Sequence, residues 1–255
     1  MTRIERVAWL ALPMAAAALA QAPAGQPAPP GGRAGAVIDI TGNWVSVVDE
    51  DWRWRMLTPP KGDFTSVPLN AEGRKTGNAW DPEKDQAAGE QCKAYGAAGL
   101  MRMPTRLRIG WANDQTMELA TDAGQQTRLF HFDGSHGQGG APSWQGDSAA
   151  AWQKQAQSRG FAPPFDGPAP GKGGALKVVT THMRPGYLRK NGVPYSGDAV
   201  LTEYFDRVDV EGTPFLIVTT VVEDPQYLSE AFITSEQFKW EPDGSKWDPQ
   251  PCKAK

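Results

Sequence analysis

DAVLTEYFDRVDVEGTPFLIVTTVVE, residues 198–223, decides how this chain is built. β-Branched and aromatic residues fill both halves, and residues 209–213 interrupt them with an acidic, glycine-containing break. The stretch therefore reads as two long strands joined by a turn. Side chains alternate along a strand, so Leu201, Glu203 and Phe205 share a face. A carboxylate in an apolar row needs a reason. It serves a sheltered pocket, or a nearby Tyr, Trp or Arg holds it, or a bulge turns it outward.

The same period of two extends along the chain. TRLRIGW (105–111) and QTMELAT (115–121) alternate apolar and polar residues around a turn at residues 112–114. Further strands are expected in GNWVSVV (42–48), DWRWRML (51–57), TRLFHF (127–132), ALKVVTTHM (175–183) and AFITSEQFKW (231–240). Helices are expected to be few and peripheral: one over residues 70–80, one from Pro82 through Glu90, and a short amphipathic one within residues 143–158. That last piece lies in a Gly-, Pro- and Ala-rich segment (133–174) long enough to form a cover over one end of the sheet. Eight or nine antiparallel strands with short turns avoid open edges by closing, so the expected fold is a mainly β, eight- or nine-stranded barrel. A barrel of that size has room for one small ligand.

At the start, two arginines, an apolar run and Ala18-Leu19-Ala20 follow the order of a secretory signal peptide, expected over residues 1–20. Residues 21–36 read as a Pro/Gly/Ala-rich flexible tether, and residues 37–255 as one domain. No run is long and apolar enough for an integral membrane span, so a periplasmic or secreted location is expected. The two cysteines, Cys92 and Cys252, read first as a disulfide in an oxidising compartment, with free thiols or a metal pair as the weaker reading. The chain carries a net charge of −3 with no basic cluster, which argues against nucleic acid and anionic membrane surfaces as partners.

Two stretches carry a resemblance. Gly42-Asn43-Trp44 resembles the Gly-x-Trp opening strand of lipocalins, whose Trp closes the barrel floor. The order PSWQG, LKVVTTHM, AVLTEYFDRV, FLIVTTVVEDPQYL, FITSEQFKWEPDG, with the Glu223-Asp224-Pro225 turn before the last strand, resembles a broad group of exported lipocalin-like bacterial proteins. The resemblance covers roughly residues 127–243 and implies the barrel, while carrying no assigned activity.

Candidate chemistry is sparse. His182 shares parity with Leu176, Val178 and Thr180, and His131 with Leu129, so both are placed inward. With His136 and Glu203 they could hold zinc or iron, but their spacing matches no ligand pattern, and ordinary strand or loop histidines are the plainer reading; no metal or cofactor is assigned. Glu236 repeats the Glu203 pattern beside Phe232, Phe238 and Trp240, and two inward carboxylates on neighbouring strands would form an acid and base pair. Arg184, Tyr187, Arg189 and Tyr195 lie in a loop that suits a carboxylate or phenolic ligand, or is simply a polar hairpin turning at Asn191-Gly192. Trp52 and Trp54 form an aromatic wall or plain core packing, opposite Arg53 and Arg55.

GxSxG, GxxxxGK[ST] and HExxH are all absent, and DRVDVEG lacks the terminal Glu of a calcium loop. Two functions remain. One is binding of a small, largely apolar or aromatic molecule inside the barrel, lined by Trp54, His131, His182, Arg184, Tyr187, Glu203 and Glu236. The other is a lyase, isomerase or hydrolase using Glu203 and His182 as acid/base groups. Glu203→Gln is expected to leave the fold intact in either case. The sequence assigns no oligomeric state.

Overall fold

The computed structural model describes residues 31–134, 140–154 and 174–255 of the protein. The expected signal peptide, His136 and much of the 133–174 segment lie outside those residues. Packing begins upstream of Val37: Gly32–Gly35 form a 3-10 turn, Trp152 Nε1 donates to Gly32 O at 2.7 Å, and Arg33 N donates to Asp114 O at 2.9 Å.

In chain order the elements are β1 (Gly42–Val47), α1 (Trp52–Arg55), α2 (Ala71–Asn78), α3 (Pro82–Ala87), α4 (Ala97–Leu100), β2 (Arg106–Asn113) and β3 (Thr116–Thr121). They continue with β4 (Thr127–His131), β5 (Asp147–Lys154), β6 (Gly174–Thr181), β7 (Gly186–Arg189), β8 (Val193–Tyr195), β9 (Val200–Val210), β10 (Thr213–Glu223) and β11 (Phe232–Glu241). Nine of the strands close a barrel in the order β1-β11-β10-β9-β6-β5-β4-β3-β2, and β7–β8 form a separate hairpin. The wall is mixed rather than purely antiparallel. β4 and β5 run parallel and share two residue pairs, Phe130 with Ser148 and His131 with Ala149. Parallel neighbours need a crossover of a dozen or more residues, which the separation between His131 and Asp147 supplies.

The long hairpin forms as its composition dictates. β9 and β10 pair over their full length, and the connection is only Glu211-Gly212, with φ +52° and +77°. Two positive φ values make a turn whose twist matches the strands, and Gly212 takes the second at no steric cost. Asp209 Oδ1 accepts from Gly212 N at 2.8 Å. Inward from this hairpin, Phe205, Leu216 and Val218 join Trp44, Leu107, Leu119, Phe130, Leu176, Val178 and Phe238 in one apolar cluster. A second apolar cluster, including Leu201, Val222, Phe232, Leu188 and Tyr195, fills the other end under α2, α4 and the β7–β8 hairpin.

Two expected elements differ. DWRWRML is the single-turn helix α1 rather than a strand: Arg55 N and Met56 N donate to Asp51 O and Trp52 O at 3.1 and 2.9 Å. Its faces are reversed, with Trp52 exposed and Arg55 buried, because a five-residue alternation also fits one helical turn. SWQGDSAAAWQK supplies strand β5, not a covering helix. Eight pairs with β6 override the helix preference of its alanines. The expected helices near residues 70–80 and 82–90 are present as α2 and α3, capped by the side chains of Asn70 and Asp81.

Cys92 and Cys252 form a disulfide with a Cα–Cα distance of 5.1 Å. It ties the tail to the 3-10 turn Lys93–Tyr95. No helix among the described residues is long and apolar enough to cross a membrane.

Candidate functional site

Glu203 is fully buried, and one guanidinium takes both of its oxygens. Arg128 Nη1 donates to Oε1 at 2.9 Å and Nη2 to Oε2 at 2.6 Å. Nη2 also donates to Thr180 Oγ1 at 3.1 Å, and that hydroxyl shares a 2.8 Å hydrogen bond with Ser148 Oγ. The inward face of β4 is accordingly Arg128 and Phe130. Leu129 is exposed and His131 half-buried, opposite to the parity expected, because Arg128 is needed as the counter-ion of Glu203.

Glu236 is equally buried and accepts from Arg102 Nη1 at 3.2 Å and from the Thr234 hydroxyl at 3.2 Å. Burial pushes its carboxyl above the usual range, against the opposing pull of Arg102. Glu203 and Glu236 stand on β9 and β11, separated by β10, and each has its own arginine. They do not stand on adjacent strands, although the Glu203 charge adds to burial in raising the Glu236 pKa.

The other expected site residues are scattered. His182 has φ +54°, which breaks the alternation of β6 and turns its ring out. Its side chain is 54% exposed, with Nδ1 3.7 Å from Asp147 Oδ2, while Glu203 has no exposure at all. The two do not share a pocket. His131 Nδ1 lies 3.4 Å from Thr116 Oγ1. Arg184 stacks 4.1 Å from the Trp144 ring and pairs with Glu90 at 2.7 Å, on the surface. The Tyr187 hydroxyl donates to Asp85 Oδ2 at 2.8 Å, and burial together with that carboxylate raises its pKa. No three His, Cys, Asp or Glu side chains cluster as metal ligands among the described residues.

Trp54 lines an open cleft, together with Arg55 and Arg189. It encloses about 180 Å³ where α1, α4 and β7 meet, and its walls include Tyr95, Arg55, Arg102, Met103 and Arg189. Arg102 bridges the cleft to the barrel interior, because its Nη2 donates to Asp51 Oδ2 at 2.9 Å while Nη1 holds Glu236. Arg55 Nε donates to Arg102 O at 2.9 Å, and Arg189 Nη1 donates to Thr65 O at 2.6 Å. Trp54 Nε1 donates to Asp63 Oδ2 at 3.1 Å, and the Arg189 guanidinium sits 5.5 Å from the Trp54 ring. Burial and neighbouring Arg102 lower the Arg189 pKa to about 10, and burial lowers that of Lys190 on the same wall. Arg189 stays cationic at neutral pH.

The interior partner Arg128 had a signal in the sequence, its shared parity with Phe130 in TRLFHF. Arg102 has none, since GLMRMP shows no period, while Arg55 falls opposite the tryptophans in the expected strand and Arg189 in the expected loop. No protein-family model matches the chain, and neither a curated protein nor a solved structure resembles it closely enough to match.

Proposed function

We propose that the protein is an exported, lipocalin-like barrel that binds a small, largely apolar or aromatic molecule in the cleft at the helix-covered end. The observation that carries this reading is the cleft itself: an opening of about 180 Å³ with an aromatic and sulfur-rich wall around a few buried polar groups. Concave sites with that mixture are where small molecules bind. Phe205, Val218 and Phe238 in the barrel interior, by contrast, have no solvent exposure. This supports the cleft, rather than the surroundings of Glu203, as the binding site. The Cys92–Cys252 disulfide suits an exported chain, and the leader-like residues 1–20 support the same location.

Catalysis by Glu203 and His182 has less support, because Arg128 occupies both carboxylate oxygens and the imidazole lies outside. Native mass spectrometry of the protein purified from its host tests the binding reading. A co-purifying molecule lost in a Trp54→Ala variant is expected; retention of the same mass by that variant would place the ligand elsewhere.

A further inference from the structure

Two guanidinium groups in the cleft are buried without a carboxylate. Arg189 is 4% and Arg55 8% exposed, and neither lies within ion-pair distance of an acidic side chain among the described residues. Arg189 Nε and Nη2 and Arg55 Nη2 also lack any hydrogen-bond partner there. Buried donors are normally satisfied, and leaving a charged one unmade is costly. Nε and Nη2 form the side-on edge of a guanidinium, the edge that receives the two oxygens of a carboxylate in parallel. Thr65 O already takes the third nitrogen, which fixes the orientation of that edge.

The charges around the cleft point the same way. Arg55, Arg102, Arg189 and Lys190 line it, while Asp51 and Glu236, both held by Arg102, are the acidic groups drawn into ion pairs with that wall. No acidic side chain lines the cleft itself, although Asp63, which accepts from Trp54, and Asp49 stand behind that wall and act on Arg189 and Arg55. Beside the arginines the surface is apolar: Met56 and Leu57 at the rim are 56% and 67% exposed, and Met103 and Leu188 lie deeper. The volume of about 180 Å³ falls below the roughly 300–1,000 Å³ of pockets for drug-sized ligands, so a single ring fits better than a long chain.

We propose that the molecule bound in this cleft is a small organic carboxylate with an aromatic or compact apolar body, its carboxylate seated on the Nε–Nη2 edge of Arg189 beside Arg55 and its body against Trp54 and Met103. This rests on the reading of the protein as a small-molecule binder and adds the charge of the ligand. A single guanidinium-to-carboxylate contact of this kind is worth roughly a ten- to hundredfold change in affinity.

Calorimetry on the disulfide-intact protein with benzoate, its neutral analogue benzamide, and inorganic phosphate tests it. Benzoate is expected to bind at least about tenfold more tightly than benzamide. Arg189→Gln is expected to erase that preference, and Arg189→Lys, which keeps the charge without the fork, to restore only part of it. The benzoate and benzamide comparison on unaltered protein stands even if an Arg189 variant fails to fold. Equal binding of benzoate and benzamide would overturn the anion assignment and leave the binding function standing. Phosphate displacing benzoate at equal concentration would overturn the carboxylate class. Failure of both aromatic probes to bind, together with no co-purifying molecule, would remove the binding function as well.

Discussion

Glu203 and Arg128 show how a single residue can be legible and its purpose hidden. A carboxylate between Leu201 and Phe205 is visible in the alternation, but a period of two says nothing about what it meets across the barrel. The structure supplies a bidentate guanidinium in a site from which both side chains are closed to solvent. Such a pair is weak support for stability as a unit and expensive to break, because removing one partner strands a buried charge. Glu203→Gln is therefore expected to destabilise the fold by about 3–5 kcal/mol, in place of the neutral outcome expected from sequence. Replacing Glu203 with Leu and Arg128 with Met together should recover most of that loss, since Thr180 and Ser148 still satisfy each other at 2.8 Å. Urea unfolding with the disulfide intact gives both numbers; a single variant as stable as the parent would contradict the account.

At the scale of elements, strands with one buried face were readable and those whose neighbours decide their state were not. β9, β10 and the β2–β3 hairpin follow their alternation, and Asn70 and Asp81 mark helix starts by side chains that accept backbone N–H groups. β5 was not readable, because Ala149, Ala150 and Ala151 favour a helix until β6 offers eight pairs. α1 was hidden for the opposite reason, being too short for its period to show. The cleft inherits this difficulty: its arginines come from one helical turn, a loop after α4 and the end of β7, where no periodicity orders the sequence.

The disulfide acts at the same scale. Cys92 and Cys252 are 160 residues apart, and closing a loop of that length removes denatured-state entropy worth about 5 kcal/mol in the chain-entropy description. Cys252→Ser should lower the stability measured in urea by up to about that amount. It should also speed amide exchange at Gln250, whose N–H is held by Asp122 O at 2.9 Å. Unchanged protection at Gln250 would show that the tail holds without its covalent tie.

For the whole molecule, the closed barrel was legible and the parallel pair that completes it was not. Which strands meet to complete a ring depends on register between distant segments, and nothing local in β4 or β5 announces a parallel pair. That pair is also the shortest contact in the wall, two residue pairs against eleven between β9 and β10. Amides along β4 and β5 are therefore expected to exchange ahead of those in β9 and β10, in a native-state hydrogen-exchange experiment at low denaturant. Uniform protection around the ring would mean that the barrel opens only by global unfolding.

The polar layer built from Arg128, Glu203, Thr180 and Ser148, continued by Glu236 and Arg102, lies between the two apolar clusters. It works as a bulkhead. The cleft lies on the side of α1 and β7, and the rings of Trp111, Phe132 and Trp152 gather beside the other apolar cluster. Arg102 is the one rivet shared by this wall and the cleft, so a change at Asp51 would be felt at Glu236 inside the barrel.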